Sequence, residues 1–250
     1  NYLANTSQGG KILIRSGTYN ASAPINIVGT GYWDIEGEGN VQVEAPYFNV
    51  SLSPYSSQNS VPSDYYFDIP LPPEPFLKMK RLTLKPYGNN NPSFNIQGLS
   101  PYSPPSNLLP QVNLGTVVLD KVDIVQMTSG ADDIMQAVRL HNLVIRNSKF
   151  INYYFWQNLS QSGCFALMLV GNDNVIVEDF TGINWCAGIN VYSDNPNGNY
   201  IFRNIFVMSV ANNNGVNGGP IAFYPTGSAP EYTNFEIENA VIVAVGEASG

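Results

Sequence analysis

Four stretches in the second half of the chain repeat one pattern: Asn142-Leu-Val-Ile-Arg-Asn147, Asn174-Val-Ile-Val-Glu-Asp179, Asn199-Tyr-Ile-Phe-Arg-Asn204 and Asn234-Phe-Glu-Ile-Glu-Asn239. Each is a short alternating segment between two Asn or Asp corners. Their starts are spaced by 174−142 = 32, 199−174 = 25 and 234−199 = 35 residues, which is the range of solenoid windings rather than of hairpins. Each recurrence therefore marks one coil of a stacked β architecture.

Two further columns can be aligned with this one. Ahead of it stand Val138/Leu140, Leu167/Leu169, Ile189/Val191 and Ile221/Phe223; behind it stand Phe150, Val207 and Ile242. Three short strands per coil, each in register with its counterpart in the next, predict an all-β, three-sided parallel β-helix. The corner residues Asn147, Asp179, Asn204 and Asn239 are of types that tolerate the left-handed region, and stacking lets their side chains bond one another as a ladder. The position just before that corner reads Arg146, Glu178, Arg203, Glu238, an alternation of sign that favours a single register. The opposite corner lengthens: between aligned inward residues the intervals are 143−140 = 3, 175−169 = 6, 200−191 = 9 and 235−223 = 12. A flared edge of this kind is where a solenoid places a recognition surface.

The first half carries the same architecture less plainly. Alternating segments at Gly9 to Tyr19, Ile25 to Ile27, Trp33 to Ile35 and Val41 to Val43, with Gly-rich corners at 29–31 and 37–39, predict the first coils. Between residues 53 and 110 the text changes, with twelve of the eighteen prolines falling there. Proline removes a ladder donor, so this span reads as an external insertion with one strand, Phe76 to Leu84, inside a single domain of residues 1–250. Both termini look uncapped, which points to a longer polypeptide or to caps from neighbouring subunits.

The net charge is −8 with 11 Lys and Arg, so a phosphate backbone would be repelled and nucleic-acid binding is not expected. No run of eighteen apolar residues is present, which argues against direct membrane insertion by a helix. Charged residues make up only 12 % of the chain, and four glycosylation sequons begin at Asn5, Asn20, Asn49 and Asn158. Both features suit an extracellular, cell-surface or virion-surface protein. Cys164 and Cys186 each lie three residues before an aligned inward residue. One coil apart, their Cα atoms would approach to about 5 Å. They could form a disulfide closing a loop of roughly twenty residues, worth about 3 kcal/mol, or stay as two stacked buried thiols.

The opening Gly9-Gly-x-Ile-x-Ile-x-x-Gly17-Thr-Tyr19, followed by Ile35-Glu-Gly37-Glu-Gly39, resembles the first coils of right-handed parallel β-helix proteins of the pectin-lyase-like superfamily, and the Asn corners resemble its Asn ladder. The resemblance covers residues 9–43 and 115–245. It implies a right-handed helix with a capping helix upstream, of which Asn1 to Gln8 look like the last residues. It implies less about function, because the superfamily holds lyases, glycoside hydrolases, esterases, viral tailspikes and adhesins.

Polygalacturonase-like members place several Asp on the first strand column; here the aligned outward residues are Arg139, Met168, Asn190 and Ala222, none a carboxylate. Asp132 and Asp133 precede that column and read as an exposed turn, a general acid/base pair or calcium ligands. Pectate-lyase-like members need calcium and a basic residue, and Asp173, Asp194 and Arg139 sit on or beside the flared edge. His141 is the sole histidine, so no His-based triad or metal cluster can be built. Tyr192 and Tyr224 read equally as sugar-stacking faces or structural contacts, whereas the run Tyr153 to Trp156 reads first as structural. The expected function is a non-catalytic surface or fibre component, such as an adhesin, filament, coat or spike, that contacts glycans or copies of itself without a cofactor. The competing expectation is a polysaccharide lyase or glycoside hydrolase.

Overall fold

The computed structural model describes residues 9–28, 31–52, 75–89, 92–98, 113, 115–127, 133–153, 165–184, 187–193, 198–211, 220–225 and 234–246. Eight long strands are β1 (Gly9–Asn20), β3 (Tyr32–Ala45), β5 (Phe76–Pro86), β7 (Thr116–Gln126), β9 (Asn142–Asn152), β11 (Asn174–Asn184), β13 (Asn199–Ala211) and β15 (Asn234–Gly246). Seven short ones alternate with them: β2 (Ile25–Val28), β4 (Phe48–Ser51), β6 (Phe94–Gln97), β8 (Met135–Val138), β10 (Phe165–Val170), β12 (Ala187–Ser193) and β14 (Ile221–Pro225). The odd strands form one sheet and the even strands a second, each in chain order, with every pairing parallel. The chain thus passes from sheet to sheet and returns one rung higher, the path of a parallel β-helix.

The third side comes from a bend within each long strand. In β9, Leu143 and Ile145 point in, Arg146 and Asn147 both face solvent, and Ser148, Phe150 and Asn152 point in again. Two successive outward residues reset the alternation, because Asn147 is left-handed with φ 53°. Asp179 (48°), Asn204 (52°) and Asn239 (52°) repeat the bend one winding apart. Asn239 Nδ2 donates to Asn204 Oδ1 and Asn204 Nδ2 to Asp179 Oδ1, both at 3.2 Å. Asn147 instead donates to Asp120 Oδ1 at 3.1 Å. The same corner is occupied in β5 and β7 by Arg81 (φ 53°) and Lys121 (φ 57°), residue types that gave no sign of a left-handed position.

Inward columns run the length of the molecule. Leu77, Val117, Leu143, Val175 and Tyr200 stack in register and are fully buried, as apolar surface on both sides of a winding requires. The partner of Phe150 in the next winding is Gly182. A Cβ there would stand 2.8 Å from the Phe180 ring, which packs edge-on against Phe150 at 5.0 Å and fills the volume.

The charge alternation extends further than the four residues expected. Glu36, Lys80, Asp120, Arg146, Glu178, Arg203 and Glu238 are successive register partners, alternating in sign throughout. Arg146 pairs with Asp120 at 3.3 Å, and Arg203 reaches Glu178 at 3.6 Å and Glu238 at 3.4 Å.

Two expectations need correction. Leu167 and Leu169 lie over Met135 and Ala137, not over Val138 and Leu140. Leu140 is buried because it turns in behind the strand, where its N–H donates to Asn172 Oδ1 at 2.9 Å; the small Ala137 did not mark itself as core. The intervals on the flared edge therefore read 143−137 = 6, then 6, 9 and 12. The span 53–110 is also not one insertion with a single strand. Strands β5 and β6 make a regular winding inside it, β6 pairing with both β4 and β8.

Candidate functional site

The outward residues of the even-numbered sheet form one file: Asn26, Asn49, Asn95, Gln136, Met168, Asn190 and Ala222. Its first part is an amide lane. Asn49 Nδ2 donates to Asn26 Oδ1 at 3.4 Å and Asn95 Nδ2 to Asn49 Oδ1 at 3.2 Å, while Gln136 Nε2 approaches Met168 Sδ at 3.5 Å. An amide has two donors and two acceptor lone pairs, so bonding along the file leaves hydrogen-bonding capacity unused, although the spare oxygen of Asn95, Oδ1, is buried. Further along, Asn190 is fully buried and neither of its amide atoms has a partner.

The sequence reading put Arg139 in this file, and the structure puts Gln136 there. Arg139 follows β8 with φ 56°, its backbone N–H donating to Val170 at 2.9 Å. It nevertheless shares the flared edge with Asp173 and Tyr192. Gly171 N–H donates to the Tyr192 carbonyl and Asp173 N–H to the Leu140 carbonyl, both at 2.9 Å. Arg139, Asp173 and Tyr192 are thereby gathered where the short strands end. Tyr224 is the register partner of Tyr192 in the next winding. Asp132, Asp194, Cys164, Cys186, Asn5, Asn158 and residues 154–156 of the aromatic run lie outside the described residues.

The two described carboxylates among the candidates, Asp133 and Asp173, are engaged as acceptors. Asp133 is not an exposed turn residue: it is 5 % exposed, and its Oδ1 accepts the Phe165 N–H at 3.0 Å, tying one winding to the next. Asp173 Oδ1 accepts from Asn113 Nδ2 at 2.6 Å, and the same nitrogen reaches the Gly171 carbonyl at 2.7 Å. Buried Asn172 accepts from Leu140 and donates to the Ala137 carbonyl at 3.1 Å, and Tyr200 Oη donates to its carbonyl at 3.1 Å. The base of the edge is thus a bonded polar layer that ties residues 171–173 to the neighbouring windings. Among the described residues no group of three or more His, Cys, Asp or Glu side chains could hold a metal. His141 is exposed, and its carbonyl accepts the Asn174 N–H at 3.0 Å.

A second amide file borders the edge at the start of the long strands, Asn142 donating to Thr116 Oγ1 at 3.0 Å and Asn174 to Asn142 Oδ1 at 3.1 Å. On the charged column, burial pushes the Asp120 carboxyl up, but hydrogen bonds from Asn147 and Arg146 and the positive charges of Arg146 and Lys80 outweigh it and hold the pKa below the usual carboxylate value. Asp123 goes the other way: burial raises it by more than the Lys149 N–H and charge lower it.

Sequence reasoning missed the lane through Asn26, Asn95 and Gln136. Its signal was present as Ile25-Asn-Ile27, Phe48-Asn-Val50 and Phe94-Asn-Ile96, three apolar–Asn–apolar triplets too short to stand out singly. Comparison of the chain with protein-family models, with curated proteins and with solved structures finds no match.

Proposed function

We propose that this chain is a non-catalytic structural and recognition segment of an extracellular, cell-surface or virion-surface protein, a β-helix of the pectin-lyase-like kind that offers its faces to glycans or to neighbouring subunits. The observation that carries this reading is the amide lane Asn26–Asn49–Asn95–Gln136. Its rungs repeat at about 4.8 Å on a rigid sheet, and an uncharged row of amides, bonded to one another from Asn26 to Asn95, suits a hydroxyl-rich polymer better than an ionic one. Tyr192 at the end of the short strands adds a ring on which a sugar could stack.

Contacts with neighbouring subunits draw support from a different face. Val125, Ile151, Ile183, Met208 and Val243 are outward register partners on the long strands, a continuous apolar stripe across five windings. The reading needs no cofactor. The lyase or hydrolase alternative would draw on Asp132, Asp133, Asp173 and Asp194 with Arg139, and on calcium.

The test is to mix the chain with neutral and uronate-containing polysaccharides, with calcium and with EDTA, and to follow binding and product together. Expected are calcium-independent binding, weakened at least several-fold by Asn49→Leu or Asn95→Leu, and no new reducing ends or unsaturated products. Turnover that disappears in Asp132→Asn/Asp133→Asn would overturn the reading.

A further inference from the structure

Asn20 and Asn49 both head acceptor sequons, Asn20-Ala-Ser22 and Asn49-Val-Ser51, but they stand in opposite surroundings. Asn20 ends β1 as the register partner of Glu44, its side chain exposed and held by no hydrogen bond among the described residues, and Ser22 is exposed in the corner that follows. Asn49 is half-buried within β4. Its carboxamide is used twice, donating to Asn26 at 3.4 Å and accepting from Asn95 at 3.2 Å.

We infer that Asn20 is a site of N-linked glycosylation in the folded protein and that Asn49, despite its sequon, is not. This rests on the extracellular reading above. Transfer replaces one N–H of the carboxamide by a bond from Nδ2 to sugar C1. It breaks the C1–O bond to a lipid-diphosphate donor supplied by the secretory host, and releases the lipid diphosphate and the proton. At Asn20 this product projects from the end of a strand. At Asn49 it would sit between two rungs about 4.8 Å away on either side. A sugar ring is about as wide as that gap, so it would press on Asn26 and Asn95 and disturb the bonds that join them. Chains modified at Asn49 would lose the lane and the packing of β4 against β2 and β6, and would not be exported as folded protein.

The experiment is to secrete the whole chain from a eukaryotic host, remove N-glycans enzymatically in heavy-oxygen water, and map the peptides. Expected is the aspartate label at position 20 and unmodified asparagine at position 49. Ser22→Ala should remove one glycan from the intact mass, whereas Ser51→Ala, which erases the second sequon without touching the amide, should leave the number of glycans and the yield unchanged. Label at position 49 in secreted, folded protein, or none at position 20, would overturn the inference. Polysaccharide binding is measured on bacterially produced, unglycosylated chain, so either result can fail without the other.

Discussion

Lys121 occupies a left-handed corner at φ 57°, in the column that Asn147, Asp179, Asn204 and Asn239 fill elsewhere. For an ordinary L residue that conformation costs about 1–2 kcal/mol, most of which Asn escapes. Lys121→Asn should therefore stabilise the protein by about 1 kcal/mol, although the net charge moves from −8 to −9. Lys121→Gln makes the same charge change without the left-handed tolerance, and should be nearly neutral. The mirror substitution is Asn204→Ala. It takes on the corner's conformational cost and deletes two ladder bonds of 3.2 Å, each worth about 0.5–1.5 kcal/mol net and near the lower figure at this exposed site. The expected loss is about 2 kcal/mol. Urea titrations followed by circular dichroism read both changes as shifts in midpoint at constant slope. A destabilised Lys121→Asn, or an Asn204→Ala indistinguishable from wild type, would refute the assignment of corner strain and ladder.

The alternating column predicts a salt-dependent penalty. Arg146→Glu sets a third carboxylate between Asp120 and Glu178 and should cost about 1–2 kcal/mol at low ionic strength, against at most about 1 for Arg146→Gln. Added salt should narrow that gap, and equal losses at low salt would count against the column. Acid should act through Asp120, whose folded pKa lies below its ordinary 3.8. A depressed pKa gives stability that is complete above the unfolded value and is lost as pH falls through the folded one. Asp120→Asn should thus be less stable than wild type at neutral pH, with the difference closing in strong acid; a pH-independent difference would contradict it. Asp123, raised by burial, has the opposite sign, so Asp123→Asn should be neutral or stabilising at pH 7, any gain fading as pH falls through the raised pKa.

What could be read from the residues followed the strength of their local preferences. The Asn and Asp corners were legible because few other types settle at φ near 50°, and the long strands because their alternation resets at those corners. Arg81 and Lys121 were not, since they hold the same backbone only because the windings on either side dictate it. Strand β8 slipped in the reading because Ala137 is a weak core signal and Leu140 is buried without belonging to a strand. The roles of Asp133 and Asp173 depend on the Phe165 N–H and the Asn113 amide, partners 32 and 60 residues away that no local pattern reveals.

The charged file also carries a parity. Excising residues 174–198 would join β9 to β13 with each backbone and core position still in step, yet it would set Arg146 directly against Arg203. Removing two successive turns restores opposite neighbours. The electrostatic unit cell of this molecule is therefore a pair of coils, about 9.6 Å along the axis, and duplications or deletions that preserve it must come in even numbers.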